Sequence, residues 1–134
     1  MINPIEHAKT KEGAHKYKVE PYVVPADIYG RENLAGRGGW TWYTGSSSWM
    51  YEAGLRYILG LHIRDGKWLS IEPHIPKEWK EYSIFYQHGP TRYQIHVIQE
   101  HKETPEVWVN GVKQEDTKIA LQTDGKVYQI TWIV

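Results

Sequence analysis

A chain of 134 residues is one domain by length, large enough to bury roughly two thirds of its unfolded surface. Sixteen basic residues balance sixteen acidic ones, so there is no electrostatic footprint for nucleic acid or an anionic membrane, and neither is expected as a partner. The absence of cysteine excludes disulfides, thiolate catalysis and zinc–thiolate sites and fits a reducing, cytoplasmic setting, and no apolar run approaches the roughly 20 residues that span a bilayer.

Residues 1–19 are polar, with Lys9, Lys11, Lys16 and Lys18 interspersed among acids and histidines, and read as surface loop with a short helix near Lys11–His15. The stretch Pro21-Tyr22-Val23-Val24-Pro25-Ala26-Asp27-Ile28-Tyr29 turns apolar. Its two prolines argue against a central strand and suit a short helix with proline in its first turn. Next comes Gly36-Arg37-Gly38-Gly39-Trp40-Thr41-Trp42-Tyr43-Thr44-Gly45-Ser46-Ser47-Ser48-Trp49, dense in glycine, tryptophan and hydroxyl groups. Beyond it, Met50, Ala53, Gly54, Tyr57, Ile58 and Leu61 fall on one helical stripe. One of Ser46–Ser48 is the expected N-cap, and Gly60 suits the C-terminal end.

After Gly66 the period changes to two. Tyr82, Ile84 and Tyr86 alternate with polar neighbours, His88-Gly89-Pro90-Thr91 makes a turn, and Tyr93, Ile95 and Val97 resume the alternation. Val107-Trp108-Val109 runs into Asn110-Gly111, a strong hairpin dipeptide, and Asp124-Gly125 precedes Tyr128, Ile130, Trp132 and Val134. The expectation is an α+β chain: a helical, glycine-rich part over residues 1–64 and an antiparallel β part over residues 65–134. One firm helix cannot enclose a core, so the first part reads as a piece of something larger.

The glycine-rich run admits two readings. Glycines let backbone approach a ligand, and N–H groups at a helix start attract an anion; equally, glycines avoid clashes in a tight loop while tryptophans plug a core. Glu20, beside Tyr22, could accept sugar hydroxyls or merely complement a helix dipole. Arg31 and Arg37 could face phosphate oxygens or be ordinary surface groups. Seven histidines show no ligand spacing, so no metal site is expected. Glu20 and Asp27 are candidates for a hydrolytic carboxylate pair by residue type only.

Asn3-Pro4-Ile5 with His7, Tyr17-Lys18-Val19-Glu20-Pro21-Tyr22-Val23-Val24 with Ala26-Asp27-Ile28-Tyr29, and the run from Gly36 to Ser46 resemble the C-terminal portion of glycoside hydrolase family 94, formerly glycosyltransferase family 36. Gly54-Leu55, Ile58-Leu59-Gly60-Leu61 and Leu69-Ser70-Ile71-Glu72-Pro73-His74-Ile75-Pro76 with Trp79 and Tyr93 extend the resemblance over nearly the whole chain. The wording is similar to the β-1,2-oligoglucan phosphorylase and cyclic β-1,2-glucan synthase members. The resemblance implies the last helices of an (α/α)6 barrel followed by an antiparallel C-terminal β-sandwich. It also implies phosphorolysis of a β-glucan: inorganic phosphate, a substrate rather than a cofactor, attacks the anomeric carbon with inversion while an aspartic acid protonates the leaving oxygen.

Carried over by position, Thr44 and Gly45 match the pair that holds phosphate. Glu20 resembles a glutamate of the sugar site, and Arg37 and Trp42 inside the glycine run join it as sugar-site candidates. No catalytic residue is carried over, because the general-acid aspartate belongs to a barrel region before this chain; the isolated chain is expected to be inactive. The alternatives are a stand-alone β-sandwich module that binds carbohydrate or protein, and a structural remnant that oligomerises through exposed apolar surface. The parent could be a soluble phosphorylase or a membrane-anchored synthase.

Overall fold

The computed structural model describes residues 3–42 and 44–134, with the side chains of Thr44 and Ser46 outside the description. Contacts divide the chain into two compact units, Met1–Gly54 and Leu55–Val134.

In the first unit the polar opening folds more than its composition suggests. Helix α1, Pro4–Ala8, has proline in its first turn and Asn3 as N-cap, the Asn3 carboxamide oxygen accepting from the Ile5 N–H at 3.1 Å. Helix α2, Lys11–Tyr17, is capped by Thr10, whose hydroxyl accepts from the Gly13 N–H at 3.0 Å. It ends where Lys18 turns left-handed (φ 59°) and donates its N–H to the Ala14 carbonyl. The helix expected near residues 11–15 is present and longer, and Tyr17 at its end is buried.

The helix expected over Pro21–Tyr29 is absent. Pro21 and Pro25 supply no N–H, and each pushes the residue before it out of the helical region. After a turn at residues 21–23, closed by the Val23 N–H on the Glu20 carbonyl at 3.3 Å, the stretch bonds across to the glycine-rich run instead. Ala26 N–H reaches the Trp40 carbonyl at 2.7 Å, Gly39 N–H reaches Asp27 at 2.9 Å and Tyr29 N–H reaches Arg37 at 2.9 Å, around an Ile28–Gly38 bridge. Helix α3, Thr44–Ala53, begins before the serines expected to cap it, so Ser46–Ser48 lie inside its first turns.

A π-helical turn, Gly54–Ile58, follows α3 and leads into the second unit. Gly60 breaks the helical course at φ 75°, and a Cβ there would strike the backbone of Glu72. Leu61, expected on the helical stripe, instead starts strand β1, Leu61–Arg64, so the β part begins before residue 65. Strand β1 pairs with β2, Trp68–Ile71, and β2 with the short β7, Ile119–Ala120. The second sheet has order β3-β4-β8-β5-β6, with β3 Glu81–His88, β4 Thr91–Ile98, β5 Glu106–Val109, β6 Val112–Lys113 and β8 Val127–Ile133. Both expected hairpins form, at Gly89-Pro90 and at Asn110-Gly111.

The purely antiparallel expectation fails at one place: β8 runs parallel to β4, in register from Arg92–Val127 to Ile98–Ile133. Alternation selects which face of a strand is buried but is blind to its direction. Leu61, Leu69, Ile71 and Ile119 of the first sheet join Ile84, Tyr93, Ile95, Val97, Val107, Ile130 and Trp132 of the second in one buried cluster. The two sheets therefore share a core.

Candidate functional site

The glycines of the run from Gly36 to Trp49 serve different ends. A Cβ at Gly38 would collide with the Val19 side chain and one at Gly39 with the Asp27 carboxylate, so both are needed for packing. Gly36 takes a left-handed φ of 87°. Gly45 differs: a Cβ there would meet nothing within 4 Å. It is exposed at the second position of α3, whose first turn carries no acidic residue to compensate the helix dipole. The Thr44 side chain, its partner in the sequence reading, lies outside the described residues' side chains.

Two residues before this helix, Trp42 stands in the left-handed region at φ 64° and is 66% exposed. That backbone costs a bulky L-residue on the order of 1–2 kcal/mol and persists only where the surroundings hold it. Its indole N–H donates to the Glu20 carboxylate at 3.2 Å, and Tyr22 meets its ring edge-on at a centroid distance of 6.3 Å. Tyr22, Val23, Trp42 and Ser47 line a hollow of about 270 Å³. The Glu20 carboxyl is held below the usual glutamate range, chiefly by its own backbone N–H and then by the Trp42 indole and the Thr41 side chain. At neutral pH it is an anionic acceptor, suited to hydroxyl donors.

Glu20 and Trp42 are thus brought together, while Arg37 lines a different hollow, of about 230 Å³, with Lys16, Lys18 and Glu32. Asp27 does not pair with Glu20: its carboxylate accepts from the Trp40 N–H at 3.3 Å and orders the loop backbone. Arg31 lies exposed at a turn, its carbonyl accepting from the Leu34 N–H. Among the described residues, no group of three or more His, Asp or Glu side chains stands close enough to hold a metal ion.

Sequence reasoning passed over Tyr17, which is 1% exposed and stacked on His7 at 4.9 Å. Its hydroxyl has no hydrogen-bond partner among the described residues, and burial, with the nearby Glu20 charge, raises its pKa. Its place immediately before Lys18-Val19-Glu20, closing α2, was the available signal.

The chain resembles known proteins along most of its length. A 112-residue segment, 83% of the chain, is 50% identical to the cyclic beta-(1,2)-glucan synthase NdvB of Rhizobium meliloti (strain 1021), of which it spans 4%. Segments covering 70% and 86% of the chain are 36% and 32% identical to the N,N'-diacetylchitobiose phosphorylases of Vibrio proteolyticus and Vibrio furnissii, spanning 11% and 14% of those proteins. The chain therefore corresponds to a small part of each relative. No helix among the described residues is long and apolar enough to cross a membrane. Residues 1–60, which include Glu20, the glycine-rich run and α3, match the model of the glycosyl hydrolase 94 superfamily catalytic domain, and that part of the chain belongs to the family.

Proposed function

We propose that residues 1–54 form one wall of the active site of a glycoside phosphorylase acting on β-linked glucans. Inorganic phosphate sits on the N-terminus of α3 at Thr44 and Gly45, and a glucosyl unit lies against Trp42 and Glu20. In that reaction a phosphate oxygen bonds to the anomeric carbon as the glycosidic C–O bond breaks, and the leaving oxygen takes a proton from a general acid. The wall supplies N–H groups aimed at the anion, an aromatic face and an anionic acceptor for sugar hydroxyls.

The observation that carries the reading is Gly45. Unlike Gly38 and Gly39 it has no packing reason to lack a Cβ, while it lies within a helix start that favours an anion. The Trp42 backbone, strained and tied to Glu20, supports a sugar subsite beside it.

In this reading the general acid is supplied from outside the wall, and Asp27 orders the loop by accepting from the Trp40 N–H. Losing acid catalysis alone typically costs about 10²–10⁴ in rate, so the chain by itself does not turn over. Two measurements test this. In an NMR titration with inorganic phosphate, the Gly45 and Ser46 amides shift and saturate in the millimolar range that a partial site allows, roughly 4 kcal/mol of binding; unmoved amides overturn the phosphate assignment. Incubation with β-1,2-glucooligosaccharides and phosphate yields no glucose 1-phosphate; release above background overturns the assignment of this chain as a wall alone.

A further inference from the structure

The outward face of the five-stranded sheet carries sugar-binding chemistry of its own. Register sets Phe85 opposite Gln94 and Gln94 opposite Gln129, a row across β3, β4 and β8; the next row sets Ser83 opposite His96 and His96 opposite Thr131. The alternating residues on these strands, Ile84, Ile95 and Ile130, are buried in the core, so both rows face outward. Phe85 is 78% exposed in the first row, and Ser83, Phe85, Gln94, His96 and Gln129 line a hollow of about 250 Å³.

We propose that this hollow binds a neutral glucan segment, with Phe85 as the stacking platform and Gln94 and Gln129 as a clamp on hydroxyl groups. The hollow holds no Asp, Glu, Lys or Arg, and its one titratable group, His96, is tied to the Glu81 carboxylate at 3.1 Å, a lining that matches an uncharged, hydroxyl-bearing ligand. The two carboxamides bond to each other, Gln129 Nε2 donating to Gln94 Oε1 at 2.6 Å. That single bond orients both groups and leaves Gln94 Nε2 as a donor and Gln129 Oε1 as an acceptor without a partner among the described residues. Exchanging oxygen and nitrogen in both amides leaves the same pair of free functions, one donor and one acceptor. A donor and an acceptor on residues paired across neighbouring strands suit sugar hydroxyls, each of which both donates and accepts.

The single aromatic ring favours sugar over protein. A protein interface presents a broader apolar patch, whereas Phe85 is bordered by polar groups, Ser83, Gln94 and Gln129 in this hollow and Gln87 and Arg92 in a second one. The other aromatic residue on this face, Trp108, lies opposite Thr131 and has the Lys113 ammonium over its ring at 5.9 Å, which leaves Phe85 as the free platform. From Phe85 to Gln129 the row spans two inter-strand spacings, about 9.6 Å, a width suited to a disaccharide unit.

The ligand class follows from this surface; only the choice of a β-linked probe rests on the proposed function. The test is an NMR titration of the chain with a β-1,2-linked glucooligosaccharide without phosphate, beside a β-1,4-linked one. The expected result is saturable movement of the Phe85, Gln94 and Gln129 amides with either probe. Phe85→Ala weakens binding about 10-fold or more, Phe85→Tyr retains it, Gln94→Ala weakens it, and Gly45→Ala leaves it unchanged. Light scattering runs in parallel. Absence of movement at these amides, or Phe85→Ala binding as the parent does, overturns the proposal. So does a particle mass that falls in Phe85→Ala with no sugar-dependent shift, which assigns the face to a second copy of the chain. The phosphate titration reads Gly45 separately, so either proposal can fail without the other.

Discussion

Glu20 and Trp42 lie 22 positions apart in sequence and meet through one hydrogen bond, which makes the pair testable with a conservative change. Trp42→Phe keeps an aromatic ring and deletes the indole donor. The Glu20 pKa then rises toward the ordinary glutamate value but stays below it, because its own backbone N–H is the larger cause of the depression; a carboxyl-detected NMR titration reads the shift. Asp124 offers a second test. It accepts from the Lys126 N–H at 3.1 Å, the Thr91 hydroxyl at 3.2 Å and the Tyr128 hydroxyl at 2.9 Å, and the Lys126 N–H is foremost in drawing its carboxyl down to about 2. Because the folded value lies below the unfolded one, its contribution is whole above roughly pH 4. It is lost as pH falls from there through about 2. Urea midpoints measured across that window drop with acid in the parent, and Asp124→Asn flattens the part of the slope due to this group.

The β5–β6 hairpin turns on Asn110 and Gly111 at φ 50° and 80°, and the Asn110 carboxamide also accepts from the Gln129 N–H at 2.9 Å, tying the turn to β8. Asn110→Ala loses both tolerance of the left-handed turn and this bond, for an expected loss of about 1–2 kcal/mol by chemical denaturation. A neutral result would mean that β8 does not depend on the turn. Such hairpins were legible in the sequence because a dipeptide and flanking alternation are local signals. The stretch from Pro21 to Tyr29 was not, because its partners lie on residues 37–40 and a proline pair four apart fits a helix start as well as an extended run. Leu61 continued the helical stripe by spacing alone, and the change of course depends on Gly60, whose left-handed backbone spacing does not reveal. For the candidate site, the family resemblance, not residue type, singled out Glu20, Arg37 and Trp42, and of these Glu20 and Trp42 meet. The separation of Arg37 from them followed from the loop folding back on residues 26–29, which no local pattern encodes.

At the scale of the molecule the two units differ in how much they bury. Leu55–Val134 holds a cluster of Leu, Ile, Val, Tyr and Trp side chains drawn from both sheets, whereas the buried side chains described in Met1–Gly54 are Pro4, Tyr17, Val23 and Pro25. The same first unit exposes Tyr22, Trp40, Trp42, Trp49 and Tyr51, more aromatic surface than a small unit carries without use. Hydrophobic burial at about 25 cal/mol per Å² therefore supports the second unit far more than the first. Two outcomes follow for hydrogen exchange and truncation. Amides of β4 and β8, at the centre of the five-stranded sheet, exchange slowest, and those of residues 3–42 exchange quickly through local opening. Residues 55–134 expressed alone keep a cooperative urea transition close to that of the whole chain and lose most of the binding of a hydrophobic dye, since the exposed tryptophans named above are gone. A fragment that unfolds without cooperativity would mean that the shared core of the two sheets is insufficient, and that the first unit contributes stability its few buried side chains do not account for.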